Sequence, residues 1–270
     1  MAEFEKVLIV GCGNMGGAML AGWLAAGEDP TRFAVLDPAL AAAPPGVALL
    51  REPGAAQDHD AVLLGFKPQQ LADLAPSLQP LAGEGVTVLS LLAGIDLATL
   101  AQSFPAAAAH VRVMPNLAAR IGKSPVILAE RGLAERGRDA AQALFGALGT
   151  ALWLEDEEQF DLVTALAGSG PGFVYRFIDA LAGAAQRLGL ARDLADRLAL
   201  ATVEGAAALA AAADATPADL ADRVASPGGM TREGLNVLDA DKALESLLTM
   251  TLRATADKGA ELGRVAQTKG

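Results

Sequence analysis

The sequence predicts an α/β chain in two parts, a parallel-sheet domain over residues 1–156 followed by an all-helical domain over residues 157–270. Three observations predict it. In the first half, short and continuously apolar runs alternate with helical stretches, as strands buried on both faces and joined by crossover helices do. After about Asp156 the strand-like runs vanish and long Ala- and Leu-rich helical stretches take over. A Gly-rich turn, Gly11-Cys12-Gly13-Asn14-Met15-Gly16, joins the first apolar run to the first helical stretch. That placement is the mark of a Rossmann-type sheet domain.

The elements follow in order. Residues 7–10 read as the first strand, and 14–26 as a helix with Met15, Met19, Leu20, Trp23 and Leu24 on one broad stripe. The second strand, 33–36, stops at Asp37-Pro38, and a weak third lies near 47–49. Strands are expected at 61–66, 86–91 and 110–114, with 124–128 and 151–154 added at the end of the sheet. The helices expected thereafter cover 159–166, 171–188, 192–213, 217–224, 232–238 and 241–262. Only Gly/Pro clusters interrupt them, at 168–172 and 226–229.

Composition narrows the function. The chain has 270 residues, 60 of them alanine, and is 52% hydrophobic but only 4% aromatic. That apolar share excludes intrinsic disorder. Lys plus Arg number 21 against 32 Asp plus Glu, a net charge of −11, so neither nucleic acid nor an anionic membrane is the expected partner. One cysteine, Cys12, makes no internal disulfide, and with two histidines, His59 and His110, leaves little with which to build a metal centre. No signal-peptide pattern and no apolar stretch of membrane-spanning length is evident. The expectation is a cytoplasmic protein.

The Gly-rich turn carries the first chemistry. Gly11 allows the tight turn, Gly13 lets a pyrophosphate approach the backbone, and Gly16 lets the helix pack on the strand. The helix N-terminus then offers N–H groups to the anion. Cys12 is read as a small packing residue in this turn. Asp37, at the end of the second strand, has two readings. It accepts hydrogen bonds from an adenine-ribose 2′-OH and repels a 2′-phosphate, or it caps a turn before Pro38. No Arg or Lys follows closely, Arg51 being the nearest, so the first reading gives a weak preference for NADH over NADPH. Three polar residues stand at strand carboxyl ends, where ligands of open sheets bind: Lys67 before Pro68, Ser90, and Asn116. Lys67 is a ribose or phosphate contact or a solvated loop lysine. Asn116 is a nicotinamide or ribose contact or a turn residue. His59 and His110 fall at the opposite ends of their strands and are read as non-catalytic.

These residues, with others further on, resemble the pyrroline-5-carboxylate reductase family. The matching segments are Ile9-Val10-Gly11-Cys12-Gly13-Asn14-Met15-Gly16, Phe66-Lys67-Pro68-Gln69, Ser90-Leu91-Leu92-Ala93-Gly94-Ile95, Arg112-Val113-Met114-Pro115-Asn116, Ala167-Gly168-Ser169-Gly170-Pro171-Gly172-Phe173 and Ser226-Pro227-Gly228-Gly229-Met230-Thr231. They span nearly the whole chain. There are departures: Leu117-Ala118 stand where the family has Thr-Pro, Ala167 where it commonly has Ser, and Ala221-Asp222 where a basic residue is usual. The resemblance implies hydride transfer from NAD(P)H to 1-pyrroline-5-carboxylate, giving L-proline. It also implies a helical domain that interlocks in a homodimer, with dimers stacking further in some members.

Such a substrate carries a carboxylate and an imine. Gly228-Gly229-Met230-Thr231 can supply an anion site by turning backbone N–H groups inward, with Thr231 opening a helix and the Ser226 and Thr231 hydroxyls adding hydrogen bonds. The bland alternative is a Gly-rich helix connection with Thr231 as N-cap. Neither His nor Lys appears in the helical-domain motifs, so the substrate is expected to arrive protonated, with catalysis mainly by positioning. A reductase of another cyclic imine remains an alternative, as does a non-catalytic nucleotide sensor. A 3-hydroxyacid dehydrogenase would place a Lys on the helix after the Gly-rich cluster. Here Arg176 stands on that helix, and Arg does not readily exchange a proton. The long apolar helices of the second part carry more apolar surface than about 110 residues can bury alone, so at least a homodimer is expected.

Overall fold

A computed structural model describes residues 4–56 and 58–267. Among the described residues eight strands form one sheet: β1 (Val7–Val10), β2 (Phe33–Leu36), β3 (Ala48–Leu50), β4 (Ala61–Leu64), β5 (Thr87–Ser90), β6 (Ala109–Met114), β7 (Ser124–Arg131) and β8 (Gly149–Trp153). Their order is β3-β2-β1-β4-β5-β6-β7-β8. The central strands are Val- and Leu-rich and buried along their whole length, because helices cover both faces.

The crossovers are α1 (Asn14–Ala25), α2 (Leu71–Leu78) and α3 (Leu97–Ser103), with α4 (Glu135–Gly146) between β7 and β8. On one face Met19, Leu20 and Trp23 of α1 pack with Leu144 and Phe145 of α4 over Ile9, Val111 and Val126. On the other, Leu71, Leu78, Leu97 and Leu100 cover Leu8, Val62 and Val88. The sheet reverses once. β6 and β7 pair antiparallel, whereas every other pairing is parallel. The sheet is thus parallel in the main, as expected, and the strands added at its end enter through one antiparallel pair. The stretch 115–123 holds only a 3-10 turn, Leu117–Ile121, and a parallel return needs a crossover of a dozen residues or more.

The chain divides into two compact units, Met1–Gly168 with Thr255–Gly270, and Ser169–Ala254. The segment expected as a helix over 159–166 is instead a short α5 (Phe160–Val163) that widens into a π-helical turn, Thr164–Gly168. The second unit contains α6 (Gly170–Arg187), α7 (Arg192–Ala212), α8 (Pro217–Val224), α9 (Met230–Asp239) and the first half of α10 (Ala243–Gln267). Its own core is small: Ala182, Ala195 and Ala199, with Ile178 and Ala185 against them. A helix was expected from residue 241, but Asp241 and Lys242 take left-handed φ values of 49° and 55°, so α10 starts at Ala243. Among the described residues no helix is long and apolar enough to cross a membrane.

Candidate active site

One candidate region is built on the β1–α1 turn. Gly11 has φ +84°, and a Cβ there would press on the Phe66 main-chain nitrogen at 3.0 Å. A Cβ on Gly16 would meet the Gly11 carbonyl oxygen at 2.9 Å. Gly13 is the opposite case: a Cβ there meets no atom within 4 Å, so the backbone faces open space at the start of α1. That open stretch of chain at a helix N-terminus fits the pyrophosphate of a dinucleotide. Beside it a cavity of about 320 Å³ is lined by Asn14, Leu117 and Arg120. Met15 is half-buried against the core. Cys12 is buried, and burial followed by the nearby Asp37 charge pushes its thiol pKa up, which suits packing rather than nucleophilic work.

Asp37 ties this turn to the end of β2. Its Oδ2 accepts from the Cys12 N–H at 3.0 Å, and its Oδ1 accepts from Ala39 and Leu40 N–H at 2.9 and 3.1 Å. Burial raises its carboxyl pKa, but these three bonds and the Arg51 charge outweigh it and hold the pKa below the ordinary value. The turn-capping role weighed from the sequence is therefore present. Arg51 is the residue that sequence distance hid. Leu36 pairs with Leu50, so Asp37 and Arg51 leave adjacent parallel strands side by side. Arg51 Nη1 donates to the carbonyls of Asp37, Pro38 and Leu40 at 2.9, 3.1 and 2.6 Å. Arg51, the nearest basic residue in sequence, is thus brought beside Asp37 by this pairing.

Lys67 is exposed, and its N–H donates to Gln70 Oε1 at 3.1 Å, so that Pro68 opens a 3-10 turn into α2. Ser90 is buried at the end of β5, where its Oγ accepts from the Leu92 N–H. Asn116 is buried too. Its Oδ1 accepts from the Ala118 N–H at 2.9 Å, and its Nδ2 donates to the Ala167 carbonyl, also at 2.9 Å. It thus fastens the loop after β6 to the π turn, where Gly168 sits against Met114. Ahead of this loop, Arg112 is buried over the Phe160 ring and paired with Glu157 at 2.8 Å. His110 donates through Nε2–H to the Phe104 carbonyl, and His59 does so to the Leu81 carbonyl. Both remain away from the carboxyl ends of the strands.

A second candidate region lies in the helical unit. Gly228 has φ +69°, and the Gly229 N–H bonds back to the Ser226 carbonyl at 2.9 Å, closing a tight turn. The helix begins earlier than expected. Gly229 is the N-cap and Met230 the first residue of α9, so Thr231 lies inside the first turn rather than capping it. A Cβ on Gly229 would displace the Ser226 hydroxyl and press on the Ser226 carbonyl oxygen at 3.0 Å. The first N–H groups of α9 consequently point into the loop without intrahelical partners. The Ser226 and Thr231 hydroxyls make no hydrogen bond among the described residues, and both residues are exposed, as is Met230. Arg232 pairs with Asp222 at 2.7 Å and bridges the loop from α9 back to α8. Nothing in the sequence marked Arg232, since its partner lies ten positions earlier across the turn.

Residues 157–262 match the family model for pyrroline-5-carboxylate reductase dimerisation, and residues 6–94 match that for NADP oxidoreductase, coenzyme F420-dependent. The pyrroline-5-carboxylate reductase of Pseudomonas aeruginosa is 34% identical, over 95% of this chain and 96% of its own length. That of Methanosarcina acetivorans is 32% identical over 97% and 99%. The solved pyrroline-5-carboxylate reductase structure from Coxiella burnetii superposes with a TM-score of 0.90 at 28% identity, over 96% of this chain and 99% of that one. A Gly-rich cradle at the head of a parallel sheet, a donor-rich loop at the start of α9, and relatives aligned from end to end agree: the chain belongs to the pyrroline-5-carboxylate reductase family.

Proposed function

We infer that this chain reduces 1-pyrroline-5-carboxylate to L-proline with a hydride from NAD(P)H. The observation that carries the inference is similarity along the whole chain to a curated reductase, 34% over 265 residues. Gly11, Cys12, Gly13, Asn14, Met15 and Gly16 form the cofactor cradle, with Asp37, Lys67, Pro68 and Asn116 along the carboxyl edge of the sheet. Gly228, Gly229, Met230 and Thr231 bind the substrate carboxylate through main-chain N–H groups, and Ser226 and Thr231 act as the catalytic hydroxyls. The bound nicotinamide supplies the hydride. Thr231 hydrogen-bonds the substrate nitrogen and positions it. No general acid is assigned, because the cyclic imine arrives as its iminium ion. Asp37 gives a weak preference for NADH. Residues 1–156 serve the cofactor, and residues 157–270 serve the substrate and the homodimer. A single unpaired cysteine, Cys12, favours the cytoplasm.

The test is a set of initial rates with NADH and NADPH against pyrroline-5-carboxylate and against the six-membered imine acid. Loss of NAD(P)H absorbance with the five-membered substrate is expected. Faster turnover of the six-membered one would reassign the substrate, and no turnover with either cofactor would leave a nucleotide sensor.

A further inference from the structure

We propose that Arg51 is the cofactor-specificity residue of this chain, giving the 2′-phosphate of NADP(H) a cationic anchor beside Asp37. The proposal rests on the dinucleotide reading of the β1–α1 turn and extends it to the far end of the cofactor. In sheets of this order the adenine ribose lies at the carboxyl end of β2, where an acidic residue selects the free 2′-OH and a nearby Arg accommodates the phosphate. This chain places both groups there. The Leu36–Leu50 pairing delivers Asp37 and Arg51 together at the edge of the sheet.

The two side chains are turned differently. Both Asp37 oxygens are committed to main-chain N–H groups, those of Cys12, Ala39 and Leu40. The carboxylate is thus drawn down into the turn, which lessens its repulsion of a phosphate. The Arg51 guanidinium is held by carbonyl oxygens alone: Asp37, Pro38 and Leu40 on Nη1, and Ala41 at 3.5 Å on Nη2. Among the described residues no carboxylate forms an ion pair with it. Carbonyl dipoles fix a cation in place without cancelling its charge. A guanidinium has five N–H donors, and among the described residues the Nε–H makes no hydrogen bond. In a chain of net charge −11, an exposed cation so fixed stands out as an anion site. Asp37 and Arg51 oppose one another, and the preference that Asp37 imposes stays weak because Arg51 keeps the phosphorylated cofactor usable.

Titration calorimetry of NAD+ and NADP+ on the wild-type chain, Arg51→Ala and Arg51→Lys tests this without relying on turnover. In Arg51→Ala the affinity for NADP+ should fall by about tenfold or more while that for NAD+ stays within about threefold, the loss of one charge-assisted phosphate contact. Arg51→Lys should recover part of the loss, as a point charge without the fork. An equal fall for both cofactors would reduce Arg51 to a loop clamp and overturn the proposal, as would no change in either. Rates with pyrroline-5-carboxylate separate the two claims. A wild-type chain that binds NADP+ through Arg51 but reduces no imine would sink the proposed reaction and leave the Arg51 assignment standing.

Discussion

At the scale of single residues, the site depends on backbone more than on side chains. Gly229 shows this most directly, because a Cβ there would displace the Ser226 hydroxyl and press on the Ser226 carbonyl oxygen. Gly229→Ala is therefore expected to raise KM for the imine substrate by roughly tenfold or more, the worth of a lost charge-assisted hydrogen bond, with KM for the cofactor unchanged. Steady-state kinetics with each substrate varied in turn separates the two. Thr231→Ala, which removes a hydroxyl but no N–H donor, should lower kcat/KM; an unchanged value removes Thr231 from the mechanism. His110 carries a pH prediction. Burial, followed by the Arg131 charge, depresses its pKa below 6.5 despite the bond to the Phe104 carbonyl. Below pH 6.5 the unfolded chain then binds a proton that the folded chain refuses. The stability contributed by neutral His110 is full above pH 6.5 and lost as the pH falls through its lower folded value. Thermal melts of His110→Gln should accordingly show a flatter fall in Tm on acidification below that pH than the wild type, and parallel profiles would refute the assignment.

At the scale of elements, what was legible in the sequence was what is local. The Gly11–Gly16 turn, the apolar runs and the Gly/Pro breaks between helices each declare themselves within a few residues. What was not legible depends on pairing. Arg51 lies fourteen positions after Asp37 in sequence and becomes its neighbour only through the β2–β3 register. Asn116 Nδ2 finds Ala167 across 51 positions. The reversal at β7 depends on the length of a loop, a quantity the hydrophobic pattern does not weigh. The start of α9 was misplaced because Gly229, a weak cap by side chain, takes the N-cap through its extended backbone. Trp23 illustrates a further long-range link. Its Nε1–H donates to the Leu144 carbonyl at 2.7 Å, one of the last carbonyls of α4, and its ring stacks on Phe33 at 5.1 Å. Trp23→Phe keeps an aromatic ring but orphans that carbonyl, so about 1–3 kcal/mol of stability should be lost. Denaturant melts should show a lower midpoint with an unchanged slope; an unaltered midpoint would mean that water replaces the indole.

At the scale of the whole molecule, the two units solve the problem of burial in opposite ways. The sheet unit buries Trp23, Phe33, Phe104 and Phe145 almost completely. The helical unit buries little beyond three alanines, and leaves Tyr175, Phe177, Leu198, Leu209, Leu247 and Met250 between 50% and 68% exposed. Scattered apolar residues on a surface need no explanation, but these lie on α6, α7 and α10, and α7 is rich in alanine besides. Alanine lets helix backbones approach closely, and the larger side chains supply apolar area once water is excluded. A second copy of the same face is the partner that the dimerisation match over 157–262 leads one to expect. Light scattering at micromolar concentration should therefore give at least twice the chain mass of 27.4 kDa. The melting temperature should rise with protein concentration, since association stabilises only the folded chain. Placing charge in the face, as in Phe177→Glu with Leu247→Glu, should shift the mass towards the monomer and lower the Tm. The sheet unit has an extensive apolar core of its own, so NAD(H) affinity should be retained in such a variant. A wild-type chain that scatters as a monomer, with a Tm independent of concentration, would mean that these helices keep their apolar face for something other than a second copy.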